Sequence, residues 1–170
     1  MVLDAKLSKG DWIVHANYGL GQVQGEDTKV LEGEKNHYYV VQTEMATYWL
    51  PKDRLDADNI RDIAPVKLFR QALQLIEEKP RQMNQDFRKR QSRIVEVIAS
   101  NSVVELAKLI RDLYWRRKHK TLNENEKRAL DIVKERFARE WSVAADLKQE
   151  ETRSILEKTL ASVALKYEEE

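Results

Sequence analysis

All five glycines of this 170-residue chain, Gly10, Gly19, Gly21, Gly25 and Gly33, fall within its first 33 residues, and the other 137 positions have none. Glycine reaches the positive-φ conformations that tight turns need. The front of the chain therefore turns often. The rest, rich in Leu, Ala, Glu, Lys and Arg, reads as helix after helix. Two building styles follow: a small β module over residues 1–64 and a helical one over residues 65–170.

Charge changes at the same place. The net charge of +1 hides a partition. Residues 1–64 hold 7 basic and 11 acidic groups, and residues 79–120 hold 12 basic and 4 acidic. Residues 121–170 hold 9 and 12, so a basic block lies between two acidic ones. Such a block either offers a face to an anionic polymer or simply solvates helices. The aromatics Phe87, Tyr114 and Trp115 inside it bring the polymer reading level with the solvating one. No run approaches the ~18–20 apolar residues of a membrane span, so no membrane partner is expected. The opening Met1-Val2-Leu3-Asp4-Ala5-Lys6 lacks the apolar region of a secretory signal, which makes the cytoplasm the default location. Zero cysteines exclude disulfides, thiol catalysis and Cys-ligated zinc.

Five short strands are expected in the first module. Asp11–His15 is the first, and Tyr18-Gly19-Leu20-Gly21 turns the chain into Gln22-Val23-Gln24. Thr28–Leu31 follows as a separate strand, then a turn at Glu32–Asn36. His37–Thr43 is the clearest strand, dense in aromatic and β-branched residues. Ala46–Leu50 is the last, closed by Pro51. Five strands in about 55 residues suggest a small barrel of SH3 or Tudor type. The fold class is α+β: this barrel, then an all-helical domain of about five helices.

Pro65 suits the first turn of a helix, where its missing N–H costs nothing. Val66, Leu68, Phe69, Ala72, Leu73, Leu75 and Ile76 form its apolar stripe, and Pro80 breaks it. Asn84 is the expected N-cap of a helix through Ala99, with Phe87, Ile94, Val95 and Ile98 apolar. The cations Arg88, Lys89, Arg90 and Arg93 are expected outside the core. Ser102-Val103-Val104-Glu105 and Asn123-Glu124-Asn125-Glu126 both match a capping box. The helix from Ser102 ends in Arg116–Lys120, where cations also suit the helix dipole. A last helix holds Ile155, Leu156, Leu160, Val163 and Leu165, and its Glu168–Glu170 end is expected to fray.

Catalytic patterns are missing. His15, His37 and His119 have no partner at metal-ligand spacing, so no zinc or other metal and no cofactor is expected. Acidic residues face Lys or Arg at i+4, as Glu135 faces Arg139, which fits salt-bridging better than acid–base chemistry. Tyr18–Gly21 lacks the Lys-Ser/Thr ending of a phosphate loop, and no Ser or Thr has a nucleophile-elbow context. The chain does not read as an enzyme.

The segment Lys9-Gly10-Asp11-Trp12-Ile13-Val14-His15-Ala16-Asn17-Tyr18-Gly19-Leu20-Gly21-Gln22-Val23 resembles the opening of the CarD/CdnL family of bacterial transcription regulators. The likeness continues through Tyr38–Val41 and Leu50-Pro51. It extends into the helices at Ile98-Ala99-Ser100, Leu109–Leu113 and Leu122–Leu130, covering about residues 8–165. The resemblance implies a Tudor-like domain that binds the β subunit of bacterial RNA polymerase. It also implies a helical domain that contacts promoter DNA at the upstream edge of the melted bubble. There an aromatic wedge enters the minor groove, and neighbouring cations hold phosphates.

By position the wedge, usually Trp in the family, falls on Phe87, which is either that wedge or core. Lys89 and Lys127 match family DNA-contacting cations, Lys127 being otherwise a solvated first-turn lysine. Arg88, Arg90 and Arg93 extend the basic surface, and Ser92 stands where some members have lysine. On the barrel, Lys29 matches an arginine at the polymerase contact. Trp49 stands where a second contact arginine is common, and is either an apolar anchor or core. The function so implied stabilises the open complex. The protein is expected to be a monomer when free, to bind DNA weakly and without sequence preference alone, and to join the nucleoid through polymerase. The alternatives are a polymerase-binding adaptor whose helices grip another protein, and a free RNA-binding Tudor-like protein.

Overall fold

A computed structural model describes residues 6–55 and 60–168 of the chain. The chain divides between Ile63 and Ala64 into two compact units.

The first unit is one antiparallel sheet. Its strands are β1 (Trp12–His15), β2 (Gly19–Leu31), β3 (Glu34–Gln42), β4 (Thr47–Pro51) and β5 (Ile60–Asp62). They lie in the order β4-β3-β2-β1-β5. A core of Ile13, Val23, Tyr39, Val41, Leu50 and Ile60 is enclosed by the sheet. This is a Tudor-like module. Glu32 and Gly33, both at positive φ, make the two-residue turn between β2 and β3, the geometry of a tight hairpin.

Two strands differ from expectation. The segments 22–24 and 28–31 are one strand, because Gly25 (φ +156) sits at a bulge where the register shifts and pairing then resumes. The chain bends at Gly25 without leaving the strand. β5 is only three residues long, too short for any periodic signal. It pairs with β1 through Ile13↔Asp62 and His15↔Ile60.

Gly21 lies close against β3. A Cβ there would lie 2.6 Å from Val41 Cγ1 and 3.3 Å from the Gln42 carbonyl. Val41 is fully buried and has nowhere to move. Gly21→Ala is therefore expected to destabilise the sheet unit by ~1–3 kcal/mol. Chemical denaturation followed by tryptophan fluorescence checks this, and an unchanged midpoint would refute the overpacking.

The second unit holds α1 (Val66–Glu77), α2 (Phe87–Ser100), α3 (Val103–His119), α4 (Glu124–Ala145) and α5 (Gln149–Glu168). Phe69, Ile76, Leu109, Leu113, Phe137 and Leu156 are in its single core. Phe69 meets Phe137 edge-on at 5.4 Å between ring centroids, a favoured aromatic geometry. Pro65 precedes the first turn of α1. Asn101 and Asp146, both left-handed, cap the ends of α2 and α4, as helix C-termini favour.

Asn123 and Glu126 close a full capping box at α4. Ser102 accepts from the Glu105 N–H, but the Glu105 carboxylate goes to Lys108 and the Ser102 N–H donates to Ser100 Oγ. That box is half-formed. The N-cap of α2 is Asp86 and not Asn84. Asp86 accepts from the Arg88 N–H, while Asn84 Oδ1 accepts from the Asp86 N–H one step earlier. Val95 is exposed, and Val97 is the buried residue of that turn. Glu135 pairs with Arg153 of α5, because α4 and α5 pack together. Of the acidic C-terminal run, only Glu168 lies within the described residues.

Candidate nucleic-acid interface

The first turn of α2 presents Phe87, Arg88 and Lys89 to solvent. Asp86 fixes the turn from its cap position. Phe87 is 48 % exposed, so it is not a core residue. A large apolar ring standing in water just ahead of two exposed cations is the informative kind of exposure.

Arg90 and Arg93 correct the sequence reading. Arg90 is buried, 7 % exposed. Its Nε donates to Glu126 of α4, and its Nη1 donates to the carbonyls of Asn84 and Gln85 at 2.9 and 2.7 Å. Arg93 is half-buried and donates from Nη2 to Asp112 Oδ2 of α3 at 2.6 Å. Asp112, fully buried, also accepts from Arg111 Nε at 2.8 Å and from the Arg81 N–H at 3.0 Å. A basic run suggests solvent, but a guanidinium enters a core when carboxylates and carbonyls satisfy its donors. Both arginines anchor α2 to its neighbours and are not part of an exposed cationic face.

The anchor has a positional consequence. Glu126 lies beside Lys127 in the first turn of α4. The Arg90–Glu126 pair thus brings the first turns of α2 and α4 together. Phe87 lies one turn before Arg90 on α2, and Lys127 follows Glu126 on α4. Lys127 is half-exposed and pairs with Glu124 at 2.7 Å, an i,i+3 contact of little stabilising value. It also borders a shallow cavity lined by Arg117, Lys120, Leu122 and Leu130.

Glu126 serves two guanidiniums, since Arg116 Nε lies 3.4 Å from the same oxygen that Arg90 uses. Burial alone would raise its carboxyl pKa. Hydrogen bonds from Arg90 and the Asn123 N–H, with the charges of Arg90 and Arg116, outweigh that and hold it below the usual carboxylate range. The sequence marks Glu126 only as a capping-box residue. Nothing local shows that it anchors a second helix.

On the sheet unit, Trp49 is 42 % exposed, so it lies outside the core. Its Nε1 donates to Asp27 Oδ2 at 2.9 Å. The Lys29 ammonium sits 3.7 Å from the Trp49 ring centroid and 5.9 Å from that of Tyr38. Lys29 and Trp49 therefore form one cluster across β2, β3 and β4, with Asp27 and Tyr38 as members that sequence reading missed. Alternation along β2 puts Asp27 and Lys29 on one face, which was the available signal.

No group of three His, Cys, Asp or Glu among the described residues is placed to hold a metal ion. No described helix is long and apolar enough to cross a membrane.

Two family profiles match the chain. The one described as "CarD, C-terminal domain" covers residues 71–157, and the one described as "CarD-like/TRCF RID domain" covers residues 7–64. The chain is also similar to a Bacillus subtilis (strain 168) protein named "Putative transcription factor YdeB". They are 24 % identical over 147 residues, which is 85 % of this chain and 96 % of the relative.

Proposed function

This chain belongs to the CarD/CdnL family of bacterial transcription regulators, and from that premise we propose that it binds RNA polymerase through its sheet unit and promoter DNA through its helical unit. The polymerase contact is the β subunit, met by Lys29 and Trp49 with Asp27 and Tyr38 around them. The aromatic–cation patch offers apolar area and one charge, where two arginines would offer two charges. The DNA contact is the upstream edge of the melted bubble. Phe87 wedges into the minor groove there, and Arg88, Lys89 and Lys127 hold phosphates beside it. Arg90 and Arg93 position the wedge helix from behind. The outcome is a longer-lived open complex.

The observation that carries this reading is Phe87: an aromatic ring 48 % exposed at the head of a helix, followed by two exposed cations. Tethering by polymerase raises the local DNA concentration, so weak intrinsic DNA affinity suffices. The protein then acts as a monomer in the cytoplasm, at the nucleoid, without a cofactor and without catalysing a reaction.

The test is the lifetime of a promoter open complex with a bacterial polymerase, with and without this protein. A longer lifetime is expected. In the absence of polymerase, binding to a forked duplex should fall with salt. Three phosphate contacts give a log–log slope of about −2.7. Replacing Arg88, Lys89 and Lys127 by Gln should flatten it. An unchanged lifetime with intact polymerase binding would instead favour an adaptor whose helices grip another protein.

A further inference from the structure

A second feature of the helical unit lies where the loop after α1, the end of α3 and the end of α5 meet. Here a cavity of about 310 Å³ is lined by Trp115, His119 and Tyr167 with Lys79, Arg116 and Lys120. We propose that this cleft binds one nucleotide unit, its base against the aromatic wall and its phosphate among the cations.

The wall is aromatic. Trp115 and His119 lie 4.0 Å apart between ring centroids. The His119 ring is held there by a 2.9 Å hydrogen bond between Nδ1 and the Trp115 carbonyl. Tyr167 closes the other side, its hydroxyl directed at the Glu77 carbonyl at 3.4 Å. With Pro80 and Met83 these rings give a mostly apolar interior, the surface on which a base of any sequence stacks.

The rim is cationic. Lys79, Arg116 and Lys120 line the cleft. Lys79 and Lys166 each lie within 6 Å of the Tyr167 ring centroid, at 5.8 and 4.9 Å. Glu126 is shared between Arg90 and Arg116, so one carboxylate faces two guanidiniums. Arg116 Nε is buried without a hydrogen bond. Glu168 lies 3.9 Å from His119 Nε2. Gln82 adds an amide that both donates and accepts, as reading a base edge requires.

Size narrows the ligand. About 310 Å³ is at the small end of ligand cavities, enough for a nucleoside monophosphate and too little for a dinucleotide. The same unit has two sources: a free nucleotide, or an unpaired nucleotide of melted DNA.

The test uses the full chain, with its amide and indole N–H resonances followed during titration. The probes are adenosine 5′-monophosphate, adenosine, inorganic phosphate and tetrathymidylate. Saturable shifts are expected at the Trp115 indole N–H and at His119. Saturation by the monophosphate identifies a free nucleotide as the source, and saturation by tetrathymidylate alone identifies an unpaired strand. Lys79→Gln/Lys120→Gln should weaken nucleotide binding about tenfold while leaving adenosine unaffected. Trp115→Leu should weaken binding of both by a similar factor. The lysine pair keeps the test decisive if the Trp115 variant fails to fold. Absence of saturable shifts with either nucleotide probe would overturn the proposal, as would nucleotide binding indifferent to the lysine variant. Neither polymerase nor duplex enters the titration, so failure here leaves the proposed function standing.

Discussion

Glu126→Leu is expected to destabilise the helical unit by about 3–5 kcal/mol, the cost of leaving a buried charge without its partner. Two guanidiniums lose their shared carboxylate, and both are largely buried. The Asn123 N–H also loses its acceptor in the capping box. A unit of this size should lose well over 10 °C in melting temperature. Thermal unfolding followed by the far-ultraviolet helix signal measures the loss. Arg90→Met/Glu126→Leu should recover much of it, because well-packed apolar pairs replace buried ion pairs at little cost. A loss under about 1 kcal/mol in the single variant would show that the pair does not hold α2 in place.

Acid should act on the same contact. The folded Glu126 carboxyl titrates below its unfolded value, so its contribution is complete above the unfolded carboxylate range, about 4.3. That contribution is lost as pH falls through the folded pKa. The stability gap between wild type and Glu126→Gln should therefore close as pH drops below about 4.

Phe87→Ala is expected to return the open-complex lifetime to that of polymerase alone. Unstacking a base step costs a few kcal/mol, which the wedge offsets by new contacts. Removing the ring forfeits ~1–3 kcal/mol of stacking, roughly 5- to 150-fold in lifetime. Since Phe87 is half-exposed, the same change should alter folding stability by no more than about 0.5 kcal/mol. Polymerase binding should be unaffected, because Lys29 and Trp49 belong to the other unit. Phe87→Trp should lengthen the lifetime further, the indole having more area to stack and an N–H to donate. A lifetime indifferent to the Phe87→Ala change would remove the wedge from the mechanism.

Local patterns carried most of the architecture. The glycine distribution marked the sheet unit, because positive-φ turns are dictated residue by residue. The stripe Phe69, Ala72 and Ile76 and the Asn123–Glu126 cap marked helices, because helix periodicity and capping act within four residues. The sequence also showed a basic turn with an aromatic in it at Phe87, Arg88 and Lys89, but left open whether the ring is core, which its exposure decides.

Long-range pairing was not legible. Gly25 has the sequence signature of a turn, and only its partner Val40 across the bulge makes it part of a continuous strand. β5 exists because β1 offers an open edge. Above all, Arg88, Lys89, Arg90 and Arg93 are chemically alike in the sequence, yet two reach water and two reach carboxylates on other helices. Whether a cation faces solvent or a buried acid depends on residues 19 and 36 positions away. Sequence alone therefore determined that this segment is a charged helix carrying one aromatic ring. Only tertiary packing decided which charges are free to meet DNA, because the desolvation cost of an arginine is offset by partners that local sequence does not contain.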